Sequence, residues 1–254
     1  MKIKIPAVLR VKGFRLYLEN GKRLVDLWLN GGAAVLGHTP ANQLRELKNA
    51  ASRGLYAPYP HFTKERYLKA LSKLLPRYCF RLYAAPPPEL VTLFKNGAAK
   101  IWRPFLDPAS PFAADAPLLI PVLPGIHTWR DGLPLGLCVV AALDESVLAH
   151  LPPNDSLSPI LLAVAVRGVH DILAAPQRAN VVLPQVTKTL QNSCWRQQGI
   201  YLTLSEISDT QEWETRFNKF LEAGFLLPPT ADQPLVLPWE ISKGEEAKLA
   251  AVLG

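Results

Sequence analysis

The chain has 254 residues, of which 49% are hydrophobic and 19% are charged. Such a chain can bury a full core, as one large domain or as two smaller lobes. It contains no apolar run of membrane-spanning length, and its first residues lack the continuous apolar segment of a signal peptide. A cytoplasmic protein, neither membrane-spanning nor secreted, is therefore expected.

The cysteines and histidines predict neither a disulfide framework nor a metal site. Cys79, Cys138 and Cys194 are odd in number and far apart in the sequence, which favours reduced thiols. None of the five histidines stands at ligand spacing from a cysteine or from another histidine.

The net charge of +7 is unevenly distributed along the chain. Residues 1–103 contain 19 Lys/Arg and 5 Asp/Glu, whereas residues 104–254 contain 9 Lys/Arg and 16 Asp/Glu. A basic front half is compatible with nucleic-acid binding. The preferred interpretation is attraction between the two halves, because the cations decorate helix faces and accompany no nucleic-acid module. Nucleic acid is therefore not an expected partner.

Strands are predicted wherever apolar and polar residues alternate. Residues 14–19 and 23–29 alternate in this way on either side of Asn20-Gly21, a sequence typical of a tight hairpin turn. Further strands are expected over residues 137–143, 200–207, 225–227 and 235–238. The proline-rich stretch 102–124 is expected to be an irregular connection.

Helices are predicted from capping residues and from apolar positions at helical spacing. Two of them begin with capping boxes, Asp209-x-x-Glu212 and Ser242-x-x-Glu245. The expected helices cover residues 39–53, 63–75, 158–174, 182–198, 209–223 and the segment from 242 onward.

One short motif carries most of the functional information. Gly132, Pro134 and Gly136 form a Gly-x-Pro-x-Gly turn, and an apolar strand follows them. This segment resembles the loop that carries the cofactor lysine in class III aminotransferases, which are pyridoxal-phosphate enzymes of fold type I. In that family the lysine lies seven residues before the proline of the turn, and here that position is His127.

The missing lysine has a direct chemical consequence. No lysine occurs between Lys100 and Lys188. A Schiff base with the coenzyme needs a primary amine. The imidazole of His127 cannot form one, and the guanidinium of Arg130 stays protonated. The resemblance therefore implies an inherited scaffold without the inherited chemistry.

Other segments resemble the same family in the same order along the chain. Residues 94–99 are similar to its Phe-x-Asn-Ser-Gly-x-Glu-Ala loop, whose amides at a helix N-terminus hold the cofactor phosphate. The resemblance assigns that role to Asn96 and Gly97. The remaining matching segments are Gly13–His38, Thr63–Pro76 and the region from Ser158 to the end of the sequence.

The departures from the family concern its large, cofactor-binding domain. Only 34 residues separate Gly97 from Gly132, where the family inserts most of that domain. Pro121 stands where the family has the aspartate that holds the pyridine nitrogen, and proline cannot pair with a pyridinium. The resemblance predicts an α/β protein leaning towards α+β, in which an aminotransferase-like small domain accompanies a truncated remnant of the large domain. The expected segments are residues 1–93, 94–157 and 158–254, with the remnant in the middle.

These observations favour a degenerate aminotransferase-like protein that acts by binding or assembly rather than by catalysis. The partner is expected to be a second copy or a full-length aminotransferase-like subunit, since family members are dimers and the lost domain exposes apolar surface. No catalytic residue, metal or cofactor is expected. The alternative is a transaminase or aminomutase that retains pyridoxal phosphate. Vestigial cofactor-binding positions would be Asn96, Gly97, His127, Gly132, Pro134 and Gly136.

An aromatic cluster precedes the second predicted helix. In the family this region helps to line the mouth of the substrate site. Here the interpretation is core packing, since aromatic side chains close to a helix start usually contribute to the core. The cluster consists of Tyr56, Tyr59, His61 and Phe62.

Overall fold

The computed structural model describes residues 5, 7–38, 40–107, 109–110, 112, 114–126, 128–205 and 209–254. Eight α-helices and thirteen strands form over these residues. The helices are α1 (Ala41–Ser52), α2 (Thr63–Leu74), α3 (Pro88–Lys95), α4 (Glu145–Ala149), α5 (Pro159–Leu173), α6 (Pro184–Leu190), α7 (Thr210–Ala223) and α8 (Lys243–Leu253).

The strands are short and belong to four small sheets. They are β1 (Val8–Lys12), β2 (Arg15–Leu18), β3 (Arg23–Asp26), β4 (Cys79–Tyr83), β5 (Lys100–Trp102), β6 (Leu118–Pro121), β7 (Thr128–Arg130), β8 (Leu133–Leu135), β9 (Cys138–Ala142), β10 (Trp195–Gln198), β11 (Tyr201–Leu204), β12 (Phe225–Leu226) and β13 (Leu235–Val236). The predicted mixed α/β class is confirmed.

The chain folds into two compact units. The first contains the described residues of 1–39, 105–109 and 177–254, and the second those of 40–104 and 110–176. The expected three-segment division follows the family resemblance rather than compactness, and it stays a prediction.

The first unit is built on two small sheets, one mixed and one antiparallel, and each includes a strand that lies far away in the sequence. One sheet has the order β1-β2-β3-β12, in which β12 pairs parallel with β3 through Phe225 and Val25. The other has the order β10-β11-β13. Leucine, phenylalanine and tryptophan side chains from the sheets and from α6, α7 and α8 form its core, with Leu27, Leu202 and Phe220 fully buried. The antiparallel strands predicted for a small domain are confirmed here.

Both predicted capping signals begin helices in this unit, Asp209 as a one-sided N-cap and Ser242 as a complete capping box. The carboxylate of Asp209 accepts a hydrogen bond of 2.8 Å from the Glu212 backbone N–H, and α7 ends at Gly224 with φ 95°. At the start of α8, Ser242 and Glu245 bond reciprocally to each other's backbone N–H groups. Each cap satisfies N–H groups that a helix start otherwise leaves unpaired, which is why these local signals were sufficient to locate the two helix starts.

The second unit carries a four-stranded sheet of order β4-β9-β6-β5. β9 runs antiparallel to both of its neighbours, while β5 and β6 are parallel. All five residues of β9 and all four of β6 are buried, so the middle of the sheet is the centre of this core. Helices α1 and α2 both pack against α5.

Two predicted elements are wrong. The helix expected over residues 182–198 stops at Leu190, and Trp195–Gln198 form β10, which pairs with β11. The stretch 102–124 is not entirely irregular, because it contains the buried strand β6. In both cases the pairing with a partner strand overrides the local pattern.

Candidate functional site

The turn that resembles the lysine loop is a β-hairpin in the structure. His127 lies outside the described residues. Its neighbours form β7 and β8, joined through Asp131 and Gly132 with φ values of 51° and 78°. Two successive positive φ values are typical of the type I′ turns that connect hairpins. Gly136, with φ 92°, donates its backbone N–H to the Ala84 carbonyl at 2.7 Å. The glycines thus have a conformational role, and Pro134 pairs with Trp129 inside the hairpin.

The segment that resembles the phosphate loop lies at the C-terminal end of a helix and not at its N-terminus. Asn96 is the C-terminal cap of α3, Gly97 follows with φ 80°, and β5 begins at Lys100. The expectation that these residues open a helix is therefore wrong. The Asn96 side chain instead accepts a bond from the Ala98 N–H, while the Gly97 and Ala99 N–H groups bond to carbonyls of α3. The amides that would have faced a phosphate are used locally.

Helix α3 is the first element after β4. Three consecutive prolines, Pro86, Pro87 and Pro88, lead into this helix. Proline has no backbone N–H, so the donors that bind anions at a helix start are missing at these positions. Glu89 in the first turn adds a negative charge where an anion would otherwise be attracted.

A carboxylate of the chain itself bonds to the turn between β4 and α3. Oδ2 of Asp155 accepts a hydrogen bond of 2.8 Å from the Ala84 N–H, and the Asp155 N–H donates to the Leu82 carbonyl. Oδ1 of Asn154 accepts a bond of 2.8 Å from the Leu82 N–H. The segment 154–155 therefore occupies the backbone groups at the end of β4.

The space between the end of β6 and the turn after β8 is filled by apolar side chains. The void there measures only about 10 Å³, which is barely the space of one water molecule. Its lining consists of Tyr67, Pro121, Val122, Leu123, Pro134, Leu137 and Val139.

Two potentially reactive groups in this unit are inert. Tyr67 is fully buried, its hydroxyl has no hydrogen-bond partner, and burial raises its pKa. Burial also raises the pKa of the Cys138 thiol to about 12. Because the thiolate is the nucleophilic form, Cys138 is a core residue rather than a catalyst.

A large cleft lies among α1, α2 and α5, in the second unit. Its volume is about 660 Å³, within the range of ligand-binding clefts. Five Lys or Arg side chains and only one acidic residue, Glu46, line it. The cations are Arg53, Arg66, Lys69, Lys73 and Arg167. We call this feature the basic cleft.

Two ionisable groups of α5, Arg167 and His170, determine the charge on one wall of the basic cleft. The Arg167 guanidinium bonds to Oδ1 of Asp171 at 2.5 and 2.8 Å, which neutralises part of that wall. The pKa of His170 is lowered, first by burial and then by the charges of Lys73 and Arg167. The lowered pKa favours the neutral imidazole of His170, which contributes polarity rather than charge.

The aromatic cluster beside this cleft is on the surface. Tyr56, Tyr59 and Phe62 are 63%, 64% and 54% exposed, so the expectation of core packing is wrong for these three rings. They follow α1 in the loop that leads to α2. Phe62 lines the basic cleft, and the Arg66 guanidinium lies 4.8 Å from the centre of its ring.

A buried histidine–aspartate pair was not anticipated in the first unit. Nε2 of His38 lies 2.7 Å from Oδ2 of Asp26, which is almost fully buried. The other oxygen of Asp26 accepts the Trp28 and Leu29 N–H groups. The pair fixes the chain after β3, and only tertiary structure brings its members together.

Two absences concern the described part of the chain alone. Over the ranges given above, no group of three or more His, Cys, Asp or Glu side chains is arranged to hold a metal ion. Likewise, no helix in these ranges combines the length and apolar character needed to cross a membrane.

Solved structures with this fold are class III aminotransferases. The ornithine aminotransferase of Plasmodium yoelii has a TM-score of 0.66 at 13% identity, with 98% of this chain and 92% of that chain covered. An omega-transaminase from Sphaerobacter thermophilus has a TM-score of 0.68 at 10% identity, with 98% and 90% covered. At such identities the likeness establishes the aminotransferase-like fold.

The sequence relatives are proteins without an assigned activity. An uncharacterised protein of Treponema pallidum is 29% identical, over 91% of this chain and 88% of its own. Another, from Borreliella burgdorferi, is 24% identical over 95% of this chain and 87% of its own. Compared with models of known protein families, the chain matches none.

Proposed function

We propose that this chain is an aminotransferase-derived protein that no longer performs pyridoxal-phosphate chemistry and acts by binding. The observation that carries the proposal is the start of α3. There Pro87 and Pro88 remove the N–H donors of the N-cap and of the first helical position, and Asp155 bonds to the preceding turn. A coenzyme phosphate brought to this helix start would meet fewer N–H donors, together with the carboxylates of Glu89 in the first turn and Asp155 on the preceding turn.

Two further features do not fit the coenzyme. The sequence between Lys100 and Lys188 supplies no primary amine, and His127 stands at the lysine position. Pro121, which ends β6, supplies no carboxylate for a pyridinium nitrogen. The absent amine, the absent carboxylate and the reduced number of phosphate donors together support the proposal that this coenzyme is neither held nor activated here.

Assembly is the second part of the proposal. Large apolar side chains are exposed in the first unit, notably Leu9 on the edge strand β1 and Val182 before α6. Exposed apolar side chains on an unpaired strand edge favour association with another chain. We expect a homodimer or a complex with an aminotransferase-like subunit, and a cytoplasmic location. Sedimentation across a range of protein concentrations tests self-association.

A titration with pyridoxal phosphate, followed by visible absorbance, tests the loss of coenzyme chemistry. Exposed lysines of any protein form weak Schiff bases with aldehydes. The matched control is therefore 5-deoxypyridoxal, which has the same free aldehyde but no phosphate and cannot close to a cyclic hemiacetal. We expect the two aldehydes to give the same weak, non-saturating signal. Saturable binding of pyridoxal phosphate, much tighter than that of 5-deoxypyridoxal, would reveal a phosphate site and contradict the proposal.

A further inference from the structure

We propose that the basic cleft binds single-stranded nucleic acid, with phosphates on its cations and bases on the exposed rings of the adjoining loop. This inference does not depend on the loss of coenzyme chemistry. It revises the interpretation of the basic front half as mere decoration of helix faces, because part of that charge surrounds one cleft.

The first argument is the arrangement of positive charge. Arg66, Lys69 and Lys73 are spaced by three and four residues on α2, so they share one face and form a row about 10 Å long. Arg53 joins them from the end of α1. None of these four forms an ion pair within the described ranges, whereas Arg167 is paired with Asp171. A row of unneutralised cations matches a linear polyanion.

The second argument is the exposure of three aromatic rings on the loop that borders the cleft through Leu55, His61 and Phe62. Tyr56, Tyr59 and Phe62 are each more than half exposed and lie within seven residues of one another. Aromatic rings on the surface beside a cationic groove are the platforms on which unpaired bases stack. The Arg66 guanidinium over Phe62 brings charge and ring together at one point.

The third argument separates this ligand from other anions. A small acidic molecule inside the cleft would use the cations but leave Tyr56 and Tyr59 uncovered, since these rings do not line the cleft. A duplex offers phosphates but keeps its bases stacked on each other. Only an unpaired strand supplies phosphates for the cleft and free base faces for the rings outside it.

Fluorescence anisotropy on the full chain tests the proposal. The probe is a fluorescein-labelled oligothymidine of about 15 nucleotides, a length near the upper site size of single-strand binding modules. Four phosphate contacts predict that log K falls with log salt concentration with a slope of about −3. The Lys73→Ala variant should make that slope less steep by about 0.7, because it removes one phosphate contact. Lys95→Ala, on α3 and away from the cleft, is the matched control and should change nothing.

Ring variants distinguish base stacking from simple charge attraction. Tyr59→Ala and Phe62→Ala should each weaken binding about five-fold or more without changing the salt slope. A duplex of the same sequence should bind more weakly than the single strand. Far-UV circular dichroism checks that the variants are folded, which their exposed positions favour.

Three results would overturn the proposal. The first is the absence of binding at low salt. The second is binding that the ring variants leave at wild-type strength, which would mean attraction of any polyanion. The third is equal affinity for the duplex, or for heparin at matched charge, which would exclude recognition of unpaired bases.

Discussion

The backbone N–H of Ala84 and the carboxylate of Asp155 are joined by a hydrogen bond of 2.8 Å, at the turn between β4 and α3. That turn leads into α3, whose N-cap and first helical position are prolines and therefore lack N–H donors. The N-terminus of a helix otherwise attracts anions. Here a negative group of the protein itself bonds to the turn that precedes the helix.

This bond makes a measurable contribution to stability. Asp155→Ala should lower the free energy of unfolding by about 0.5–1.5 kcal/mol, since it removes the acceptor of a surface hydrogen bond. Asp155→Asn keeps an acceptor oxygen and should lose less. Urea unfolding compares the two variants with the wild type. Equal stability of Asp155→Ala and the wild type would mean that the bond contributes nothing.

The Arg15–Glu245 pair predicts a pH-dependent loss of stability in acid. Burial alone would raise the pKa of Glu245, but hydrogen bonds from Arg15 and Ser242 outweigh it and lower the pKa to about 2. Because the folded pKa lies below the unfolded one, the pair stabilises the fold above about pH 4.5. That contribution disappears as the pH falls towards 2.

A charge-removing variant with an intact cap isolates this effect. Glu245→Gln keeps a side chain that can close the capping box but loses the carboxylate that Arg15 contacts at 2.6 Å. At pH 7 it should be about 1–3 kcal/mol less stable than the wild type. The difference should shrink as the pH approaches 2, measured by urea unfolding over that range. A difference independent of pH would show that charge is not involved.

Gly168 in α5 is expected to tolerate no side chain. A Cβ atom at this position would lie 2.7 Å from Pro124 Cβ and 2.9 Å from its carbonyl oxygen. Gly168→Ala should therefore cost about 1–3 kcal/mol through overpacking, despite the better helix propensity of alanine. The matched control is Gly244→Ala in α8, where nothing lies within 4 Å and a gain of about 0.5–1 kcal/mol is expected. Thermal unfolding of both variants decides between the two effects.

The glycine that ends α7 should be equally sensitive for a different reason. Gly224 has φ 95°, a conformation that favours glycine, and no atom lies within 4 Å of its hypothetical Cβ. Gly224→Ala should therefore lower stability by about 1 kcal/mol through backbone strain alone. Calorimetry that finds Gly224→Ala as stable as the wild type would refute this explanation.

The sequence was informative where the decisive interactions are local. The Asp209 and Ser242 capping signals involve residues three positions apart, and both helices begin where these signals indicate. The prediction failed at Trp195–Gln198, because a strand there depends on pairing with Tyr201–Leu204 across the turn at Gly199.

The candidate site was less predictable than the elements that form it. The cations of α2 stand at helical spacing and indicate a charged face. They line one cleft together with Arg53 and residues of α5 because of the way three helices pack, and local sequence patterns do not specify that packing. The exposure of Tyr56 and Tyr59 also depends on tertiary structure, which is why the prediction that these rings belong to the core was wrong.

The most direct test of the central claim, the loss of coenzyme chemistry, is reduction with borohydride in the presence of pyridoxal phosphate, followed by peptide mapping. This protein should give only substoichiometric adducts, scattered over exposed lysines and equally frequent with 5-deoxypyridoxal. One adduct per chain at a single lysine, formed with pyridoxal phosphate but not with 5-deoxypyridoxal, would show that a coenzyme site exists and would contradict the account.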